Sequence, residues 1–254
     1  MKDIVQSVDR ALSILEVLSE NSSGLGITEI SKKIDLHKST VHRLLSTLIY
    51  KDYVEQDHET NKYRITLKVL ELGNNRLKDL DIVTVSRPHL TELMKKTNEV
   101  VHLVILEKEE IVYIDKVESE NTIRMHSTIG KRSPAYCTAV GKAIMSHMTM
   151  EEVLEIWNNS QIKEHTQYTI TGVDEMKEEL KKIRERGYSV DDEENEIGVR
   201  CVAAPIFNWK GDVIAAISIS GPTMRVTKEK VEEFSILIIE YARRISLELG
   251  YNNK

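Results

Sequence analysis

The chain has 254 residues, which suits one large domain or two modest ones, and its 41% hydrophobic and 30% charged residues are those of an ordinary globular protein rather than a disordered one. Its formal charge of −6 disfavours a protein that coats nucleic acid through bulk charge, while leaving room for a local basic reading head. Two cysteines, Cys137 and Cys201, give no disulfide framework and no clustered zinc site, the polar start MKDIVQSVDR is unlike a signal peptide, and no run approaches the length of a membrane span, so a cytoplasmic protein without a membrane partner is expected.

In chain order, Val8, Ala11, Leu12, Leu15 and Leu18 recur at helical spacing and predict a helix over 7–20. After the turn SSGLG, Thr28 is placed to cap a short helix from Glu29 to Ile34. A third helix is predicted from about Lys38 to Lys51, with an apolar stripe of Val41, Leu44, Leu45 and Leu48. Two short alternating runs, 53–56 and 62–65, flank the polar turn DHETN and predict a hairpin. Three helices and a hairpin within 1–66 form the pattern of a winged helix-turn-helix.

The third helix carries the chemistry. From Leu36 to Lys51 there is no Asp or Glu, and Lys38, Arg43 and Lys51 give this segment +3, whereas the whole of 1–66 sums to −1 (9 basic, 10 acidic). Charge is thus focused on one helix. Its polar face offers Lys38, Ser39, Thr40, His42, Arg43 and Ser46, residue types that contact phosphates or base edges in a major groove. Thr28 and the hairpin residues Asn61, Lys62 and Arg64 are candidates for flanking contacts, so double-stranded DNA is the expected partner. A merely solvated helix face is the plainer alternative.

A leucine-rich stretch, 67–82, reads as a linker helix in which Leu67, Leu70, Leu77 and Leu80 form an apolar seam for self-association, with Gly73 as a hinge or interruption. The remainder, 83–254, is α+β. It begins with a helix over about 83–97. Strands are predicted at 99–107, 110–118, 122–127, 199–206 and 212–220, the last two joined by NWKG. Helices are predicted at 139–147, after Thr149 (with Glu152 as a capping box), after Thr171 (with Asp174) up to Gly187, and over 228–249. This order gives an antiparallel sheet flanked by helices.

No Walker loop, dinucleotide-binding glycine motif, HExxH or Gly-x-Ser-x-Gly occurs, so no cofactor and no standard catalytic centre is expected. His102, His126, Cys137 and Cys201 are too dispersed to suggest a metal. Three segments could build a pocket for a small polar anion: the small residues that open a helix at 136–142, Ser218 and Ser220 on one face of a strand, and Asp191 with Cys201. Each also has a plain reading: serines bonded to backbone or water, a small buried cysteine, and an aspartate in the solvated acidic run DDEENE. A rival class is a redox enzyme or sensor using Cys137 or Cys201. It would require a depressed thiol pKa and would leave the acid-free helix unexplained.

The stretches SVDRALSILEVLSE, GLGITEISKKIDLHKSTVHRLLSTLIYKDYVE and KYRITLKVLELG resemble the DNA-binding half of IclR-type bacterial regulators. The resemblance continues in GKRSPAYCTAVGKAIMS, GYSVDDEENEIGVRCVAAPIF and GDVIAAISISGP, so it spans nearly the whole chain in order. It implies a winged helix-turn-helix, a linker helix and a C-terminal effector domain of GAF-like fold, in homodimers or tetramers that bind palindromic operators. It also implies an effector pocket at Ala139, Val140, Asp191, Cys201, Ser218 and Ser220, with Met125 in an apolar wall, for a small organic acid or sugar acid. Tyr136 departs from the His or Leu common in the family. DDEENEIG is similar to regulators of sugar-acid (2-keto-3-deoxygluconate type) catabolism.

Overall fold

The computed structural model describes residues 4–72, 81–121 and 127–252. The chain divides into two compact units, Met1–Asp79 and Leu80–Lys254. Met125, His126, Gly73, Leu77, Leu80 and most of the strand expected at 122–127 lie outside the described residues.

The first unit packs three helices, α1 (Gln6–Ser19), α2 (Ile27–Lys33) and α3 (Lys38–Tyr50), against a hairpin of β1 (Val54–Gln56) and β2 (Tyr63–Ile65). Its core is Ile14, Leu18, Leu25, Ile30, Val41, Leu45, Leu48, Val54 and Tyr63. The stripe expected on α3 is therefore the buried one. On α1 the stripe is rotated: Ile14 and Leu18 are buried, whereas Val8 and Leu12 are exposed. The start of α2 also differs from expectation. Gly26, not Thr28, is the N-cap, because Glu29 reaches back to accept the Gly26 N–H at 2.8 Å, and this leaves Thr28 exposed in the first turn. Residues 68–72 are helical, with Leu67 and Leu70 exposed.

The second unit is built on a six-stranded antiparallel sheet of order β5-β4-β3-β8-β7-β6. The strands are β3 (Val100–Glu107), β4 (Glu110–Val117), β5 (Arg132–Pro134), β6 (Ser189–Asp192), β7 (Val199–Phe207) and β8 (Val213–Pro222). One face packs on α4 (Ile82–Thr97) and α8 (Lys228–Glu248), through Leu90, Leu93, Val101, Val202, Ile217, Ile219, Phe234 and Ile238. The other face receives α5 (Ala139–Met145), α6 (Met150–Asn159) and α7 (Val173–Arg186). The expected capping box at Thr149 forms, with Glu152 accepting the Thr149 N–H at 2.7 Å. That at Thr171 does not: α7 starts at Val173 after Gly172, and Asp174 instead favours the positive end of the helix from its first turn. Gly187 ends α7 at φ 80°, a conformation that penalises any side chain.

Ion pairs fasten the ends of the sheet. Arg225 grips Glu99 through two hydrogen bonds of 2.6 and 2.8 Å. The fit needs Gly221, since a Cβ there would stand 2.6 Å from Glu99 Oε2. Gly141 is still more constrained, because a Cβ would lie 2.1 Å from the Ala135 carbonyl oxygen and 2.5 Å from its Cα. Both obstacles are backbone and cannot rotate away. Gly141→Ala is therefore expected to displace α5 from the segment before it and destabilise the second unit by about 1–3 kcal/mol or more, read as a lowered thermal midpoint.

Candidate functional site

Side-chain alternation across adjacent strands builds the site. Register pairs Asp191 (β6) with Cys201 (β7) and Cys201 with Ser220 (β8). The next row runs Ser189, Ala203, Ser218 and His102 (β3). Opposed residues share a face, so these polar side chains point toward the α5 side of the sheet. There Asp191, Cys201, Ser218, Ser220 and His102 line a recess of about 580 Å³, its open mouth included, together with Ala139 and Val140 at the start of α5. Six of the seven residues expected for an effector pocket are thus brought together, and the seventh, Met125, lies outside the described residues.

The recess also contains residues not expected in an effector pocket, among them His102, Tyr113, Ser127, Lys131, Asn195 and Glu196. His102 had a readable signal: it is the one polar residue within the apolar run VVHLVIL, in phase with Val100 and Val104. It is buried, with Nε2 2.7 Å from Ser127 Oγ and Nδ1 3.4 and 3.3 Å from the hydroxyls of Ser218 and Ser220. Burial and the nearby Lys116 ammonium push its pKa down to about 3, so the ring is neutral.

Asp191 is the most perturbed acid. It is buried, not part of a solvated acidic loop, and its Oδ1 accepts the N–H groups of Glu194 (2.8 Å) and Asn195 (3.3 Å). Burial raises its pKa to about 7 against the pull of Lys142. Lys142, on α5, is itself buried and paired with Glu194. The backbone carbonyl of Glu194 accepts a hydrogen bond of 2.6 Å from Thr169 Oγ1. The loop after β6 is thereby tied to both α5 and the segment before α7.

The cysteines do not have the electronics of redox nucleophiles. Burial pushes the Cys137 thiol up to about 12, with Asp191 and Glu194 adding to the effect, and its Sγ donates to Asn195 Oδ1 at 3.5 Å. Burial likewise pushes Cys201 up. A reactive cysteine needs the opposite shift, so the redox alternative is not supported.

In the first unit, Lys38, Ser39, His42, Arg43 and Ser46 of α3 are exposed, whereas Thr40 is half-buried. Ser46 Oγ donates back to the His42 carbonyl at 2.9 Å. On the hairpin, Lys62 is half-buried, and Arg64 is exposed but engaged, its Nε 2.7 Å from Glu55 Oε1.

The titration of Asp191 has a testable sign. Its carboxyl binds its proton more tightly folded (about 7) than unfolded (near 3.8), so this group's contribution to stability is full at acid pH and is lost as pH rises from about 4 toward 7. Asp191→Asn keeps an acceptor for the two N–H groups and removes the charge. Its thermal midpoint is expected to exceed that of the native chain at pH 8, by about 1–3 kcal/mol in stability, with the gain vanishing near pH 4.

Both units match one family. Residues 7–58 match the IclR helix-turn-helix domain and residues 74–247 the bacterial transcriptional regulator IclR C-terminal domain. The chain is 40% identical to the HTH-type transcriptional regulator KdgR of Escherichia coli (strain K12), over 99% of this chain and 95% of that protein. It is 39% identical to the HTH-type transcriptional regulator XynR of the same organism, over 98% of each. Among solved structures, the Agobacterium tumefaciens repressor BlcR superposes with a TM-score of 0.84 at 30% identity, covering 99% of this chain and 100% of that one. The chain belongs to the IclR family of bacterial transcriptional regulators, and is a ligand-responsive DNA-binding regulator rather than an enzyme.

Proposed function

We propose that this regulator represses a catabolic operon and is controlled by a small organic acid or sugar acid held in the recess of the second unit. The observation that carries the reading is the convergence of Asp191, Ser218 and Ser220 on one buried face beside the start of α5. Buried hydroxyls are costly without partners, and a hydroxylated acid supplies them. The first-turn N–H groups of Ala139 and Val140 have no acceptor within their own helix and add donors for a carboxylate. Met125, which the resemblance adds to the pocket wall, lies outside the described residues. The name of KdgR and the similarity of the DDEENEIG loop favour a sugar acid of the 2-keto-3-deoxygluconate type, and the repressor BlcR supports repression as the sign of control.

DNA is read by α3. Lys38, Ser39 and Thr40 at its start are placed for phosphates, and His42, Arg43 and Ser46 for base edges, with Arg43 the residue able to pair bidentately with guanine. Thr28, Lys62 and Arg64 flank the groove. For Arg64, this means exchanging Glu55 for phosphate. The domain limits proposed are 1–66 for the reading head, 67–82 for the linker and 83–254 for the effector domain. The chain works as a homodimer, its two reading heads about one helical turn of DNA apart, or as a tetramer. The exposed Leu67 and Leu70, and Ile4, Val5, Val8 and Leu12 on the first unit, are the apolar surface that association would cover. The chain is assigned to the cytoplasm. Among the described residues no helix is long and apolar enough to cross a membrane.

Two measurements on the full chain test this reading. In thermal melts with D-gluconate, 2-keto-3-deoxygluconate, pyruvate and glyoxylate, one acid is expected to stabilise the fold, by about 2.7 kcal/mol at a hundredfold excess over its Kd, and Ser220→Ala is expected to abolish the shift. A panel without effect, or an unchanged shift in Ser220→Ala, rejects the pocket. In fluorescence anisotropy on duplex DNA from upstream of its own gene, Arg43→Ala is expected to lower specific affinity at least tenfold, about 1.4 kcal/mol or more. Binding indistinguishable from the native chain would remove α3 as the reading helix.

A further inference from the structure

His102 stands at the centre of three hydroxyls, and its hydrogen-bond geometry is asymmetric. Nε2 lies 2.7 Å from Ser127 Oγ, a short contact that a hydroxyl donating to a ring acceptor fits. Nδ1 lies 3.3 Å from Ser220 Oγ and 3.4 Å from Ser218 Oγ, which suits one N–H shared between two oxygens. The two serine oxygens are 3.3 Å apart. Lys116 Nζ donates to the Ser127 carbonyl at 2.8 Å and pairs with Glu118 Oε1 at 3.0 Å, so a second cation on the imidazole is disfavoured. The ring is packed edge-on against Tyr113 at 5.1 Å between centroids and cannot reorient freely.

A neutral imidazole has one donor and one acceptor, and which nitrogen holds the proton decides what the serines can offer. With the proton on Nε2, Nδ1 accepts and consumes one serine hydroxyl hydrogen, leaving the pair one donor for the recess. With the proton on Nδ1, the imidazole donates to both oxygens, and both hydroxyl hydrogens are free to point into the recess.

We propose that His102 is the positioning residue that makes Ser218 and Ser220 a double donor: Ser127 donates to Nε2, Nδ1–H is shared between the two serines, and both serine hydroxyls donate to oxygens of the bound acid. The inference deepens the effector reading and rests on it for the last of these three bonds, while the first two are properties of the unliganded protein. It explains why an acid can be held by this sheet face without a guanidinium. It also defines a specificity: the ligand group over Ser218 and Ser220 is an acceptor, a carboxylate or keto oxygen, and not an amine.

The test combines a spectroscopic and a binding readout on the full chain. Long-range proton–nitrogen correlation NMR of the protein labelled with ¹⁵N-histidine, with His102 assigned from the His102→Asn variant, is expected to show the Nδ1–H tautomer without ligand. The Nε2–H tautomer or a protonated ring overturns the proposal. Calorimetry then uses 2-keto-3-deoxygluconate and D-gluconate as probes. His102→Asn keeps an N–H directed at the serines and is expected to bind within about threefold of the native chain, whereas His102→Leu is expected to lose at least tenfold. Native-like binding by the Leu variant, or an Asn variant as weak as Leu, overturns the proposal. If the native chain binds neither probe, it is the sugar-acid reading that fails, and the tautomer still decides the role of His102.

Discussion

Everything distinctive in the second unit follows from placing polar side chains on the covered face of a sheet. Strand alternation allows no compromise, because a residue in phase with Val100 and Val104 faces the helices whatever its chemistry. His102, Ser218, Ser220 and Asp191 occupy such positions and are all buried. Each must find a hydrogen-bond partner or cost the fold more than the sheet returns locally. The chain solves this from within, by turning His102 and three serines into one connected set beside the recess. Ala139 is small where the recess needs room. Gly141 lets α5 lie against the Ala135 backbone, which brings its first residues to the rim.

The Lys142–Glu194 pair belongs to the same logic. A buried ion pair of this kind is a poor source of stability, since desolvation offsets most of the attraction. Its effect here is positional. Lys142 is one turn after Ala139 and Val140, and Glu194 directly precedes Asn195 and follows Asp191 by three residues. Joining them fixes two walls of the recess to each other, and Thr166 and Thr169 fasten the outer side of the loop to the carbonyls of Glu193 and Glu194. Asp191 thus sits at the start of a loop already coupled to α5.

Sequence patterning made the elements legible where periodicity was strong and opaque where long-range contacts decided. The stripe on α3 was readable because it reports a single packed face, and β3, β4, β7 and β8 because a sheet covered on both faces leaves apolar-rich runs. The short strand β5 was not. Three residues carry almost no periodicity, and its pairing with β4 is set by the chain returning beside Glu110–Val112. The caps at Thr28 and Thr171 failed for a common reason. A glycine one or two residues away was available, and in α2 the Glu29 side chain satisfied its N–H in place of a hydroxyl. Asp191 sits in an acidic run that looks solvated, and only register with Cys201 and Ser220 carries it inside. The polar pocket residues could be proposed from one strand each. That His102 joins them depends on β3 lying next to β8, a pairing between residues more than a hundred positions apart.

The two units divide the physical problem of a regulated DNA reader. The reading head is almost neutral overall, yet α3 carries its basic residues without a single acid between Leu36 and Lys51. Affinity for phosphate scales with the number of cations that reach it, so a head with few of them gains most from a second copy at the correct spacing, as in the proposed homodimer. Weak single heads are what a small effector can control. With an effector in the recess, as proposed, a few kcal/mol of differential binding would be enough to shift the relative setting of two modest heads and too little to dislodge one that bound tightly by itself. On that reading the sparse charge of the first unit and the polar recess of the second serve one purpose, since a head that bound tightly by itself would leave an effector little to control.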